Sequence, residues 1–242
     1  MQDSTLFYCG PAAMPFDVWA RWNFHDPFLL VGLAALTWII ASGKAVNARA
    51  GWAALALMVL IFISPLCALS SALFSARSLH HVILIAGIAP LLAMAFPLRR
   101  LAPFALTPLV VVHALILWFW HAPSAYTWGL SSAPAYWLMQ GTLLGSAWLL
   151  WRAVLAPGTR PAAAVMALVI TVAQMGLLAA LLVFARVPLY VVHLASTAPW
   201  GLTPLADQQL AGLLMWAPAM LPYLGIGLWL AWGSLRPGEH AS

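Results

Sequence analysis

Seven apolar stretches separated by short polar or proline-bearing breaks organise the chain. They run over 27–43, 50–74, 78–96, 105–121, 134–155, 162–185 and 209–235. About 20 predominantly apolar residues cross the roughly 30 Å hydrocarbon layer as a helix, so each stretch predicts a transmembrane helix. Lys44 to Arg49 separates the first two, and Ser75 to Arg77 reads as a tight turn before the third. Pro97, Arg99, Arg100 and Pro103 make the next break, and His121 to Pro134 the one after it. Arg152, Pro157, Gly158, Arg160 and Pro161 follow, and the sixth connection, Arg186 to Gln208, is the long one. No internal repeat or low-complexity tract interrupts the pattern. The expected fold is an all-α polytopic membrane protein: an outer N-terminal segment over 1–26, a seven-helix domain over 27–235 and a short tail over 236–242.

Composition strengthens this reading. Hydrophobic residues make up 64% of the 242 positions and charged residues 6%, with a mean hydropathy of +0.97. A soluble domain carries about 25% charged residues, so this chain cannot cover a water-facing surface. A cytosolic enzyme, a disordered chain and a free nucleic-acid binder are excluded together. The first 26 residues lack a charged start followed by an apolar run, and Asp3, Asp17, Arg21 and Asp26 interrupt them. They do not read as a signal peptide, and the first apolar stretch is read as a permanent helix.

The excess of ten basic over five acidic residues sets orientation. With the N-terminus outside, Lys44, Arg49, Arg99, Arg100, Arg152, Arg160 and Arg236 fall on the inner side, and only Arg21, Arg77 and Arg186 on the outer side. Basic residues favour the cytoplasmic side, which predicts an outer N-terminus and a cytoplasmic C-terminus.

On this topology the chemically active side chains collect at the outer end. His80 and His81 begin the third helix, His121 ends the fourth, and His193 lies in the last outer loop. Asp207 opens the seventh helix, Cys67 lies near the outer end of the second, and Cys9 and His25 belong to the N-terminal segment. His113 lies eight residues before His121, roughly 12 Å deeper on nearly the same face. Only His240 and Glu239 lie inside. Ionisable groups within spans are costly and therefore functional suspects. Imidazole, thiolate and thioether together suit copper, above all Cu(I).

Each residue also has a plainer use. A histidine at a helix end can cap carbonyls, and His113 can hydrogen-bond a neighbouring helix. His80 and His81 point about 100° apart, so one of them turns inward; His81 is assigned that role. His193 has more the character of a loop anchor than of a ligand. Asp207 suits the N-cap of its own helix. Cys9 and Cys67 make neither a disulfide framework nor a CxxC motif; Cys67 can be inert core, and Cys9 a delivery ligand or nothing. Most methionines are core. Among the 14 tryptophans, Trp19, Trp22, Trp118, Trp120 and Trp200 read as interfacial anchors.

Pro188-Leu-Tyr190 followed by Trp200-Gly-Leu-Thr-Pro-Leu-Ala-Asp-Gln-Gln-Leu-Ala-Gly-Leu-Leu-Met-Trp216 resembles the signature of the multi-helix, CtaG-type cytochrome c oxidase assembly factors. Further matches are Ala20-Arg-Trp-Asn-Phe24 with Asp26 and Pro27, Ser64-Pro-Leu66, Leu73-Phe-Ser-Ala76 leading to His81, and Trp120-His-Ala-Pro-Ser-Ala-Tyr126. The resemblance implies a seven-helix protein that helps build haem–copper oxidases by handling copper on the outer side. His81, His121 and Asp207 carry over. The family's His-x-x-Gln-His reads here with Arg77 and His80 at its first and fourth positions, and its Glu-His in the fifth helix is replaced around Leu138, Met139 and Gln140.

The expected mechanism is transfer of copper to an oxidase subunit, with a periplasmic copper chaperone as a further partner. His81 and His121 supply imidazoles, with His80, His113 and Cys67 as further candidate ligands. Met139 or Met215 offers a soft thioether, and Asp207 and Gln208 support the ligands from behind. No nucleophile or acid–base pair emerges, so no enzymatic activity is expected. The competing readings are a haem-binding electron-transfer subunit, using His113 with His80 or His81, and a copper permease. A retinal protein is excluded because the single lysine, Lys44, lies in a loop.

Overall fold

The computed structural model describes residues 8–97 and 106–235. Arg99, Arg100, Arg236 and the tail with Glu239 and His240 lie outside the described residues. Among the described residues all regular structure is helical: α1 Pro27–Ala41, α2 Ala48–Met58, α3 Pro65–Ala72, α4 Phe74–Val82, α5 Ala89–Ala95, α6 Leu106–His121, α7 Pro123–Gly129, α8 Ala133–Val154, α9 Pro161–Phe184 and α10 Pro204–Leu235. Two π turns, Val59–Ile63 and Ile83–Ile88, continue α2 toward α3 and join α4 to α5.

Each apolar stretch of the sequence becomes one helical rod, straight or bent. Three of these, Phe74–Ala95, Pro161–Phe184 and Pro204–Leu235, are long and apolar enough to cross a membrane. Counting each bent pair, Ala48–Ile63 with Pro65–Ala72 and Leu106–His121 with Pro123–Gly129, as one span raises the number to five. The other two rods fall short for different reasons. α1 has only 15 residues, whereas α8 has 22 but carries Gln140, Thr142, Ser146 and Arg152.

Local chemistry explains the breaks. Ser64 caps α3 by accepting from the Leu66 amide at 3.2 Å, Pro65 occupies the first helical position, and the rod bends there by 49°. Pro123 plays the same part in α7, which turns 82° away from α6. Proline at this position has no amide to leave unpaired, which makes it a natural helix start after an extended residue. The break before α4 is different. It falls at Leu73, in extended conformation, so the expected turn over Ser75 to Arg77 is instead the first part of a buried helix. No proline or glycine marks it.

α10 packs most extensively on α9 and next on α4. Gly212 allows the closest approach: a Cβ there would meet the Ala179 carbonyl oxygen at 2.8 Å and Val183 Cγ2 at 2.7 Å. Small residues of this kind let helices touch backbone to backbone where lipid provides no hydrophobic drive between them.

The N-terminal segment lies over the Cys67 end of the bundle. Asp26 caps α1 through the Phe28 and Leu29 amides at 2.9 and 3.3 Å, and also accepts from the Tyr8 hydroxyl and, at 3.0 Å, from Trp137 Nε1. Partial burial acts to raise the Asp26 pKa, but these donors outweigh it and hold the carboxyl below its ordinary value. Asn23 donates to the carbonyls of Ile63 and Phe62, and Trp200 Nε1 to that of Ala13. The two cysteines, too few for a disulfide framework, are nevertheless joined: Cys9 and Cys67 form a disulfide, with Cα atoms 5.5 Å apart. In that state neither sulfur offers a thiolate, so Cys67 as a copper ligand and Cys9 as a delivery ligand do not apply to the oxidised protein.

Candidate functional site

α4 is the chain's most polar buried helix, with Ser75, Arg77, Ser78, His80 and His81 all turned into the protein. Its start is held from a distance. Asp207, buried at the head of α10, accepts from the Phe74 amide at 2.7 Å, the Ser75 amide at 3.2 Å and the Ser75 hydroxyl. The expected cap on its own helix is therefore corrected: the carboxylate caps α4, while Thr203 Oγ1 accepts from the Ala206 amide at the head of α10. Nor does Asp207 orient an imidazole, because both of its oxygens are engaged by α4.

About two turns into α4 the histidines gather. The rings of His81 and His121 meet edge to face with centroids 5.9 Å apart, and His80 meets His81 at the same separation. His121 Nδ1 lies 2.7 Å from the Leu117 carbonyl. A carbonyl only accepts, so Nδ1 carries the proton and Nε2 keeps the lone pair. Gln140 Nε2 approaches His81 Nε2 at 3.3 Å. Gln140 was noted in the sequence only as the neighbour of Met139. His80 packs edge-on against Phe62 at 4.9 Å. His113 takes no part in this group: its Nδ1 meets Ser146 Oγ at 2.9 Å.

The remaining candidates serve packing. Gln208 accepts from the Leu189 amide at 2.7 Å and donates to the Leu182 carbonyl at 3.3 Å, pinning the long connection to α9. Met139 and Met215 are buried in the main core, with the Met139 sulfur against Gly129. Among the described residues no three His, Cys, Asp or Glu side chains converge as a complete metal site. The histidine group has two facing imidazoles and a third beside them.

Arg77 is the residue that sequence reading placed least well. It is completely buried, and none of its guanidinium nitrogens reaches a partner at hydrogen-bond distance and angle. It lies over the Tyr136 ring at 5.2 Å, with the Tyr126 phenol also beside it. Among the described residues the only ion pair is Arg21 with Asp17 at 4.0 Å, so Arg77 has no carboxylate against it. A buried guanidinium without a counter-charge is costly.

His193 closes the far side. Its Nδ1 lies 3.3 Å from the Ala72 carbonyl and its Nε2 2.8 Å from the Tyr126 hydroxyl, a fully satisfied neutral tautomer. Burial first, and the Arg77 charge second, lower its pKa from 6.5 to about 4, against a smaller opposing effect of the Ala72 carbonyl. When the connection opens, the exposed ring binds a proton more readily than the buried one. The closed state is thus fully favoured above pH 6.5 and loses about 3 kcal/mol as the pH falls through the interval down to 4. The protection of the 186–203 amides, taken as exchange rates relative to the intrinsic rate at each pH, is expected to fall across that interval and to level off below it. His193→Gln removes the titration; an unchanged pH profile in that variant would refute the assignment.

The family described as cytochrome c oxidase caa3 assembly factor (Caa3_CtaG) matches residues 44–237. The chain belongs to this family. No curated protein and no solved structure matches it. The match spans both histidine-bearing helices, Asp207 and Cys67 of this assembly factor. It leaves out Cys9 and the rest of the N-terminal segment.

Proposed function

We propose that this assembly factor holds copper, as Cu(I), at His81 and His121 and passes it to a subunit of a haem–copper oxidase, receiving it from a periplasmic copper chaperone. The copper is cargo, and the role is delivery without catalysis. The observation that carries this reading is the contact between the two imidazoles from α4 and α6, with the His121 tautomer set so that Nε2 is free to ligate. His80 lies beside His81, its ring edge to face with it. An incomplete site suits transfer, because the vacant position can take the donor atom of the incoming partner. The unpaired positive charge of Arg77 fits the same role, since it disfavours a resident cation and eases release. The reading places the protein in a bacterial inner membrane with seven spans, N-terminus outside and C-terminus in the cytoplasm, in keeping with seven helical rods and the distribution of basic residues.

The test is anaerobic Cu(I) loading of detergent-purified protein. About one copper per chain should bind at this site, and His81→Ala or His121→Ala should each abolish it. Copper retained at full stoichiometry in both variants would exclude this pair, and no copper in the wild type would leave a scaffold for a nascent subunit. The haem reading gains no support, because His113 is engaged by Ser146 and not aligned with a second imidazole.

A further inference from the structure

The disulfide joins the only two cysteines of the chain, and as a fastener it is redundant. The segment it would fasten is already held to the bundle without it. Tyr8 and Trp137 hold Asp26, Asn23 bonds two carbonyls of the second rod, and Trp200 bonds the Ala13 carbonyl. The two sulfurs are also unequally placed. Cys67 is fully buried in α3, whereas Cys9 is half-buried and lines a cavity of about 550 Å³ with Gly10, Arg21, Trp22 and His25. The Arg21 guanidinium, paired with Asp17 at 4.0 Å, comes within 2.9 Å of where a Cβ would stand on Gly10, so a cation lies beside the residue that follows Cys9. Asn23 Nδ2 lies 3.8 Å from Cys67 Sγ, placed to donate to it. An accessible sulfur near a cation, bonded to a buried sulfur that has a hydrogen-bond donor, is the arrangement of an exchangeable disulfide rather than a sealed one.

We infer that Cys9 and Cys67 form a redox-gated dithiol site for Cu(I), closed as the disulfide and opened by a dithiol reductant in the surrounding medium. One thiolate of the reductant attacks Cys9 Sγ, and the S–S bond breaks with Cys67 Sγ as leaving group, received by the Asn23 amide. The second thiol of the reductant then displaces Cys9 from the mixed disulfide. Two electrons and two protons pass in total, leaving two cysteine thiols here and one disulfide on the reductant. Cu(I) replaces the thiol protons and bridges the two sulfurs, soft ligands that select this ion. Cys9, in a non-helical segment, supplies the movement that widens the gap; Cys67 stays fixed in α3. The inference rests on the copper-delivery reading for its cargo, but on different residues.

The experiment is Cu(I) titration against a chromophoric chelator on the full chain in detergent, oxidised and after treatment with dithiothreitol and its anaerobic removal. The reduced protein should bind one equivalent more than the oxidised protein. The extra equivalent should vanish in Cys9→Ser and Cys67→Ser and on alkylating the reduced wild type, which covers the case in which a variant fails to fold. It should persist in the His81→Ala, His121→Ala double variant, which separates it from the histidine site. Equal binding by oxidised and reduced protein, a disulfide that resists dithiothreitol in the folded state, or an extra equivalent that survives alkylation would each overturn the inference. Loss of copper from the histidine variants alone would leave the delivery reading standing without it.

Discussion

Asp207→Ala should destabilise the protein by about 3–5 kcal/mol, the largest loss expected from any single change at the site. The carboxylate is buried and takes two backbone amides and a hydroxyl from the start of α4. Without it, the Phe74 and Ser75 amides face the interior with no acceptor, and those amides lie too early in α4 to have partners within their own helix. Charge-assisted bonds of this kind are worth roughly twice neutral ones. Asp207→Asn restores only part, because its NH2 group must face a donor on one side. Thermal unfolding in detergent should place the melting temperatures in the order wild type, Asn, Ala. The account of the cap fails if the alanine variant melts with the wild type. Because α4 carries His80 and His81, the same variant should lose copper binding in parallel with its stability.

Arg77→Met should act in the opposite direction on both counts. Removing a buried charge that has no counter-ion, while keeping side-chain length and apolar contact, should raise the melting temperature. Cu(I) should also bind more tightly. Arg77 and His81 are one helical turn apart on the same face of α4, about 6 Å between Cβ atoms. At an effective dielectric constant of about 20, unit charges held about 6–8 Å apart repel by about 2–3 kcal/mol, on the order of 30- to 100-fold in affinity. Chelator competition measures that change directly, and oxidase maturation in cells should slow as release slows. Lower stability together with weaker copper binding would show that Arg77 supports the site instead of opposing its cargo.

How far the sequence reached can be judged residue by residue. The seven rods were legible because apolar length and proline punctuation are local signals, and α6, α8 and α9 begin and end close to their expected bounds. The convergence of His81 and His121 was legible because both stand at the same end of consecutive apolar stretches. Asp207 was recognised as a cap, but the helix it caps begins 133 residues earlier in the chain, and no local pattern encodes that. Arg77 was misplaced because the break at Leu73 has neither proline nor glycine. The disulfide spans 58 residues without a spacing motif; its one signal was that both cysteines fall at the same end of the bundle. The π turns left no trace in hydrophobic periodicity, since Val59–Ile63 and Ile83–Ile88 are apolar throughout.

The Ile83–Ile88 turn packs against α2. A π turn is in effect an α turn holding one surplus residue, and such turns are frequent near functional sites. Deleting one residue from 83–88 would let the rod wind as plain α-helix while the segments on either side keep their facing, because the turn already absorbs the surplus residue; the same deletion in the regular helix above it would swing the rest of the rod by about 100°. The direction in which His80 and His81 face is therefore buffered against the loss of one residue at 83–88, and not against the same loss in the regular helix that carries them. A family member could lose that single codon and keep the whole arrangement, with only the π turn gone.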